Sequence, residues 1–534
     1  MKSRYTLGAL LVLLLLGFVP WPRPALPQGR PDPKALSGPT RVPQGVWVGD
    51  LPVGGQDLDQ ARAALSRFVE AKFLQPLRLE LGEERFFLDP RDAGVAVDVE
   101  DVLARVTAGS VGALFPGGIY LPLSPHCDDS SPFAQPRRAV IPLQAAVDEA
   151  AVRRLLEGIA ARWDVSPLPE RVLELTSTEI LAVQGIAPAG DEESGLVPVF
   201  VAGQPGRRLD LERAVPLVVG ALERGEPRVV RLPVEILPAP PRDPWLLSEV
   251  LSREAAGMPG VAGVYVQDLR TGQEAGLNED VVFSGASVVK IAIMLLAYAR
   301  SDSQLASYVA RDLMEMMIYS DNDAANRLLA FAGRGDAVRG AFEMTAMLRM
   351  LGLERSFLCS PYGDPGRGWC DADLPAVRMA ATADSPRTDP DPDLQTTPRE
   401  MGLLLEAIYR CAGDSGPLLE RFPGQIEPRE CQEMLALMEQ NADTERLVAG
   451  LPPEVEVAHK SGWIPDMKAD AGIVFGPTGP YVASIFVWRE GALSDEEGNR
   501  WIARLSSIVY SFFNPLRTVP VPAEAANAPD NPGG

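Results

Sequence analysis

The chain has 534 residues, 46% of them apolar, which supplies several cores and argues against both a disordered chain and a multi-span membrane protein. Acids outnumber bases by 72 to 50, a formal charge of −22, and no basic stretch offsets it, so a nucleic-acid partner is disfavoured. With two histidines, His126 and His459, and no Cys-x-x-Cys pair, a zinc or haem site is not expected, nor is any cofactor.

Lys2 and Arg4 precede an apolar run over 7–19, followed by Pro20-Trp21-Pro22. A basic flank ahead of a short apolar run is the build of a secretory signal, and a full membrane span needs about 20 apolar residues. Residues 1–22 therefore read as a signal peptide or, lacking a clear small-residue cleavage site, as an N-terminal membrane anchor. Either places the protein outside the cytoplasm, secreted or anchored. A Pro-rich linker follows over 23–44, and a second over 238–245. The tail, 517–534, is rich in Pro, Ala and Asn and reads as disordered.

Between the linkers, 45–237 reads as an α+β region. Residues 46–50 form a strand, and Asp57 or Asp59 can cap the helix that follows. Residues 77–88 alternate and turn, as a hairpin does. A helix is expected around 147–163 and a strand over 197–201. Gly-x-x-Leu-Asp at 55–59 recurs at 206–210, each time before an amphipathic helix, a weak sign of internal duplication. The region resembles the peptidoglycan-binding module found with VanW-type cell-wall proteins, which implies a peptidoglycan partner. The plainer alternative is a spacer.

Five cysteines, at 127, 359, 370, 411 and 431, permit disulfides in an exported chain. The local pairs are Cys359 with Cys370 and Cys411 with Cys431; other connectivities stay open, and Cys127 is left over.

The segment 246–516 carries three short motifs in order. Ser287-Val-Val-Lys290 enters an apolar helix, Ser320-Asp321-Asn322 lies in a helical stretch, and Lys460-Ser461-Gly462 lies on a strand. Only six lysines occur in the chain, against 44 arginines, yet two of them fall on motif positions. A desolvated ammonium can lose its proton usefully whereas a guanidinium cannot, which is a physical reason to keep lysine there. Ser287 and Lys290, three apart, are expected on one helix face, where the lysine can serve as base.

These motifs resemble the S-x-x-K, S-D-N and K-[ST]-G set of class A β-lactamases and penicillin-binding proteins. Thr396-Thr397-Pro398 resembles the end of that family's omega loop. The strand-turn-strand over 261–283, the paired strands over 468–488 and the helix over 495–513 match its layout. The resemblance implies a fold with an antiparallel sheet flanked by helices plus a helical lobe. It also implies roles: Ser287 as nucleophile, Lys290 as base, and Ser320 as the proton relay to the leaving nitrogen. Asn322 would bind the substrate amide and Lys290. Lys460 and Ser461 would bind a carboxylate, and the N–H groups of Ser287 and Trp463, beside Gly462, would form the oxyanion hole. His459, next to Lys460 on a strand, points to the other face and reads as structural.

Two departures stand out. The stretch from Cys359 to Thr396 holds seven Asp (364, 371, 373, 384, 389, 391 and 393) and no Glu, so the family's water-activating glutamate has no counterpart. The separation of Ser287 and Ser320, 33 positions, is short for the family. The expectation is a multi-domain α+β protein whose C-terminal domain forms an acyl-enzyme on Ser287 and hydrolyses β-lactam amides. A D,D-carboxypeptidase acting on D-Ala-D-Ala stem peptides of peptidoglycan is the alternative. A non-turning-over cell-wall-binding protein or β-lactam sensor is the alternative of another class.

Overall fold

A computed structural model describes residues 41–107, 139–176, 178–180, 196–301, 305–363 and 386–517. The leader 1–22, most of the linker 23–44, Cys127, Cys370, Asp364, Asp371, Asp373, Asp384 and nearly all of the tail lie outside them. The described chain divides into two units, 41–163 with 209–235, and 164–208 with 236–517.

In the first unit the strand Leu77–Leu81 pairs antiparallel with Glu84–Leu88, the expected hairpin, and parallel with Val229–Arg231. Leu77, Leu79 and Leu81 alternate onto one buried face, covered by residues of helices Leu58–Phe73, Glu149–Trp163 and Leu211–Arg224. The two Gly-x-x-Leu-Asp copies cap their helices from different positions of the motif. Asp57, its third residue, accepts from the Gln60 N–H at 2.8 Å, whereas Asp210, its fifth, accepts from the Arg213 N–H at 3.1 Å.

The second unit does not begin at the 238–245 linker, because residues 164–208 belong with it rather than with the rest of 45–237. The hairpin of Arg171–Leu175 and Val197–Val201 buries Val199 and Phe200, and the Phe200 ring meets Phe512 edge-on at 5.1 Å. That apolar contact outweighs sequence proximity. The unit's main elements in chain order are α1 (Pro244–Ala255), β1 (Val261–Asp268), β2 (Glu274–Leu277), α2 (Lys290–Ala299), α3 (Ser307–Ile318), α4 (Asn322–Ala332), α5 (Ala337–Met350), α6 (Pro398–Ala412), α7 (Pro428–Met438), β3 (Glu456–Ile464), β4 (Met467–Gly476), β5 (Gly479–Trp488) and α8 (Asp495–Phe513).

The strands form one antiparallel sheet in the order β2-β1-β5-β4-β3, so β3 is an edge. Period-two alternation gives the sheet two apolar faces. Tyr265, Ala469, Ala471, Val482 and Phe486 join the core of the helical lobe built on α2, α4 and α6. Val264, Val266, Ile485 and Val487 join a second core with α1 and α8. This is a β-lactamase-like fold of sheet, flanking helices and helical lobe. Cys411 and Cys431 form a disulfide between α6 and α7, and Cys359 is also disulfide-bonded, to a cysteine outside the described residues. Among the described residues no helix is long and apolar enough to cross a membrane.

Candidate active site

Ser287 sits in a tight turn rather than in a helix. The Lys290 N–H donates to the Ser287 carbonyl at 3.2 Å, an i to i+3 bond, and α2 begins only at Lys290. Val288 and Val289 are fully buried and anchor the turn, while Ala286 before it is held at φ 42°, a left-handed conformation that costs a non-glycine residue about 1 kcal/mol. Such strain persists where surrounding contacts impose it.

The Ser320-Asp321-Asn322 motif also differs from the expected placement inside a helix. It forms the break between α3 and α4: Ser320 has φ 61°, and Asp321 caps α4 by accepting from the Ala324 N–H at 2.6 Å. A strong N-cap residue starts a new helix there, and the reversal turns both Ser320 and Asn322 toward Lys290.

Lys290 is fully buried, and its ammonium donates to the Ser320 carbonyl (2.6 Å), Ser320 Oγ (3.3 Å) and Asn322 Oδ1 (2.6 Å). Burial and then the Lys460 charge lower its pKa to about 7, against an upward pull from Asp321. The first two motifs thus meet through one side chain.

The third motif closes the site from the sheet edge. A Cβ on Gly462 would lie 2.9 Å from the Ser287 nitrogen and 3.0 Å from that of Val288, so only glycine lets β3 pass this close to the Ser287 turn. Lys460, also fully buried, shares the helical-lobe face of β3 with Ala458 and donates to the Ser461 carbonyl at 2.7 Å. Burial lowers its pKa to about 8, with Asp470 and Asp443 pulling it up and Arg446 down. Ser461 is buried and pairs across the ladder with Asp470, on the opposite face from Lys460. Trp463, after the third motif, is 62% exposed and Tyr319, before the second, is 73% exposed, so an open aromatic ring flanks each of these two motifs.

His459 points away from the site. Its Nδ1 lies 2.9 Å from Asp470 Oδ1, and Asp470 Oδ2 accepts from the Leu447 N–H at 3.1 Å. Burial opposes ionisation of Asp470, yet His459, Arg446 and the Leu447 N–H together hold its pKa below the usual carboxylate range. The remaining lysine of this half, Lys468, is structural: its ammonium donates to the Ile464 and Leu493 carbonyls and pairs with Asp495.

Sequence reasoning missed Tyr362. Its ring centroid lies 4.8 Å from Lys290 Nζ, its hydroxyl donates to the Ala286 carbonyl at 2.8 Å, and Asn326 holds its backbone through both N–H and C=O. The only hint was Asn326 itself, a polar residue one helical turn beyond Asn322. Of the omega-loop aspartates, Asp391 and Asp393 are engaged within the loop and with Ser360. Among the described residues no carboxylate accepts from Ser287, Lys290 or Ser320. Glu400, just after Thr396-Thr397-Pro398, is spent on Ser356 and the Arg355 N–H. Among the described residues no cluster of His, Cys, Asp or Glu could hold a metal ion.

The beta-lactamase enzyme family model matches residues 246–311 and 300–513. The chain belongs to the beta-lactamase enzyme family. Its site is accordingly that of a β-lactamase-like serine hydrolase. Among solved structures, PBP-A is 23% identical, covering 52% of this chain and 99% of its own, with a TM-score of 0.38. A beta-lactamase from Desulfarculus baarsii is 20% identical over 51% and 98%, TM-score 0.38. An ancestral class A beta-lactamase, from the last common ancestor of Gram-negative bacteria, is 23% identical over 49% and 98%, TM-score 0.37. No curated protein matches the chain.

Proposed function

We propose that this family member is exported and acylates itself on Ser287 with β-lactams, then hydrolyses the ester. Lys290, neutral in a large fraction of molecules near pH 7, takes the Ser287 Oγ proton as the oxygen attacks the lactam carbonyl. The N–H groups of Ser287 and Trp463 receive the developing oxyanion. Ser320 passes a proton to the leaving nitrogen, with Asn322 on the substrate amide and Lys460 on its carboxylate; Ser461, expected beside Lys460 there, lies on the other face of β3. The observation that carries this reading is the buried Lys290 ammonium held between Ser320 and Asn322, with its pKa brought to about 7.

A second reading, a penicillin-sensitive D,D-carboxypeptidase on peptidoglycan stems, is favoured by what faces Lys290. That neighbour is the Tyr362 ring, and among the described residues no carboxylate hydrogen-bonds Ser287, Lys290 or Ser320. The region 45–237 is then the candidate for holding the enzyme at peptidoglycan, as its sequence resemblance to the wall-binding module of VanW-type proteins implies.

Intact-protein mass spectrometry after addition of benzylpenicillin, with Ser287→Ala alongside, tests both. A transient adduct with accumulating penicilloate supports a lactamase. A persistent adduct, with release of D-Ala from a stem peptide, supports the peptidase. A persistent adduct without peptide turnover supports a sensor, and no adduct on Ser287 contradicts all three.

A further inference from the structure

The peptide bond between Ala286 and Ser287 is a planar unit, so the direction of the Ala286 carbonyl fixes the direction of the Ser287 N–H on its other side. That carbonyl accepts the Tyr362 hydroxyl at 2.8 Å, and Ala286 is held at φ 42°, a conformation it would not choose unaided. Tyr362 is itself fixed. The Asn326 side chain accepts from its N–H at 2.8 Å and donates to its C=O at 2.9 Å. Asn326 lies on α4, the helix that begins with Asn322. One residue therefore links the nucleophile turn, the lysine and the helix that carries Asn322, one of the lysine's acceptors.

We propose that Tyr362 is a positioning residue for acylation: its hydroxyl aims the Ser287 N–H at the developing oxyanion, and its ring holds the Lys290 ammonium against Ser320 and Asn322. This rests on reading Ser287 as the nucleophile. The two halves of the side chain do separable work. The hydroxyl acts on an uncharged peptide and leaves the titration of Lys290 alone. The ring face attracts the cationic form of Lys290, opposing the burial that drives the proton off. The other groups around that ammonium are Ser320, Asn322, Asp321 and, from β3, Lys460. None of these changes when Tyr362 is replaced.

The test uses the full chain and single-turnover acylation by benzylpenicillin, followed by intact mass across a pH series. Tyr362→Phe keeps the ring and loses the hydroxyl. It is expected to acylate about 10- to 30-fold more slowly with an unmoved pH midpoint, since removing an oxyanion donor outright costs about 100- to 1,000-fold and misaiming one costs less. Tyr362→Leu loses both, and its midpoint is expected to move to lower pH, because the cationic lysine has lost its support. Rescue of the midpoint by Phe but not Leu is a result that general loosening of the fold does not produce.

A Phe variant within twofold of wild type overturns the role of the hydroxyl, and a Leu midpoint equal to wild type overturns that of the ring. If Leu does not fold, as judged by thermal unfolding, the Phe variant alone decides. If the wild type itself takes no adduct, the acyl-enzyme reading has failed and this inference falls with it. Tyr362 fails alone when wild type acylates and both variants match it.

Discussion

Lys290 Nζ lies 2.6 Å from Asn322 Oδ1, a bond that joins two motifs 32 positions apart and leaves the lysine no exposed surface. With the Ser320 carbonyl at the same distance, the ammonium is held by two acceptors while burial works to deprotonate it. Lys290→Met is expected to slow acylation by about 1,000-fold, within the usual span for a general base. Lys290→Arg should not restore it, because a guanidinium stays protonated. Asn322→Ala, which removes one hydrogen bond to a charged group, should cost about 10- to 100-fold. Single-turnover acylation measured by stopped reaction and intact mass gives all three.

The two lysines set opposite limbs of a pH profile. Lys290 must be neutral to accept a proton, so the second-order acylation rate rises with pH through about 7. Lys460 must be charged to hold a carboxylate, so the rate falls through about 8. A narrow bell between these values is expected, and a rate flat from pH 6 to 9 would contradict the assignment. Stability has its own sign. The unfolded chain binds a proton at Lys290 that the folded chain lacks between about 7 and the ordinary 10.5, so this group makes stability rise with pH across that window.

Gly462→Ala tests the contact between the sheet edge and the Ser287 turn. The new methyl would meet backbone nitrogens of Ser287 and Val288 at 2.9 and 3.0 Å, and backbone cannot rotate away as a side chain would. Acylation is expected to fall at least about 10-fold, with a loss of about 1–3 kcal/mol in urea unfolding from the overpacked contact. Unchanged acylation would mean that β3 does not position Ser287.

Much of this was legible because the motifs are local. Ser287 and Lys290 are three residues apart, and Gly462 directly follows two residues of its own motif, so short spacing carries the chemistry. What escaped depended on distant contacts. Tyr362 acts through Ala286, 76 positions away, and Asn326, 36 away, and no periodicity encodes either pairing. Residues 164–208 read in sequence as part of the preceding region, but the Phe200 ring packs on Phe512, more than 300 positions away. The break at Ser320 was concealed by good helix formers on both sides, and the cap at Asp321 decided it.

Behind the site, Asp470→Asn removes the buried charge that pairs with His459 and supports the Lys460 ammonium. Breaking a buried pair from one side is expected to cost about 3 kcal/mol or more in denaturant unfolding. The second consequence is specific: without Asp470 the Lys460 pKa falls below about 8, so the descending limb of the pH profile moves to lower pH. Wild-type Asp470, held below its ordinary value, contributes stability that is present above about pH 4 and lost as pH falls through its folded pKa.

The most direct measurement is the mass of the intact protein after brief exposure to benzylpenicillin at pH 7.5, with peptide mapping of the adduct. The account predicts a gain equal to the whole drug molecule, since the lactam ring opens without losing atoms, located on Ser287 and absent from Ser287→Ala. An unmodified mass, or an adduct mapped to another residue, would contradict it.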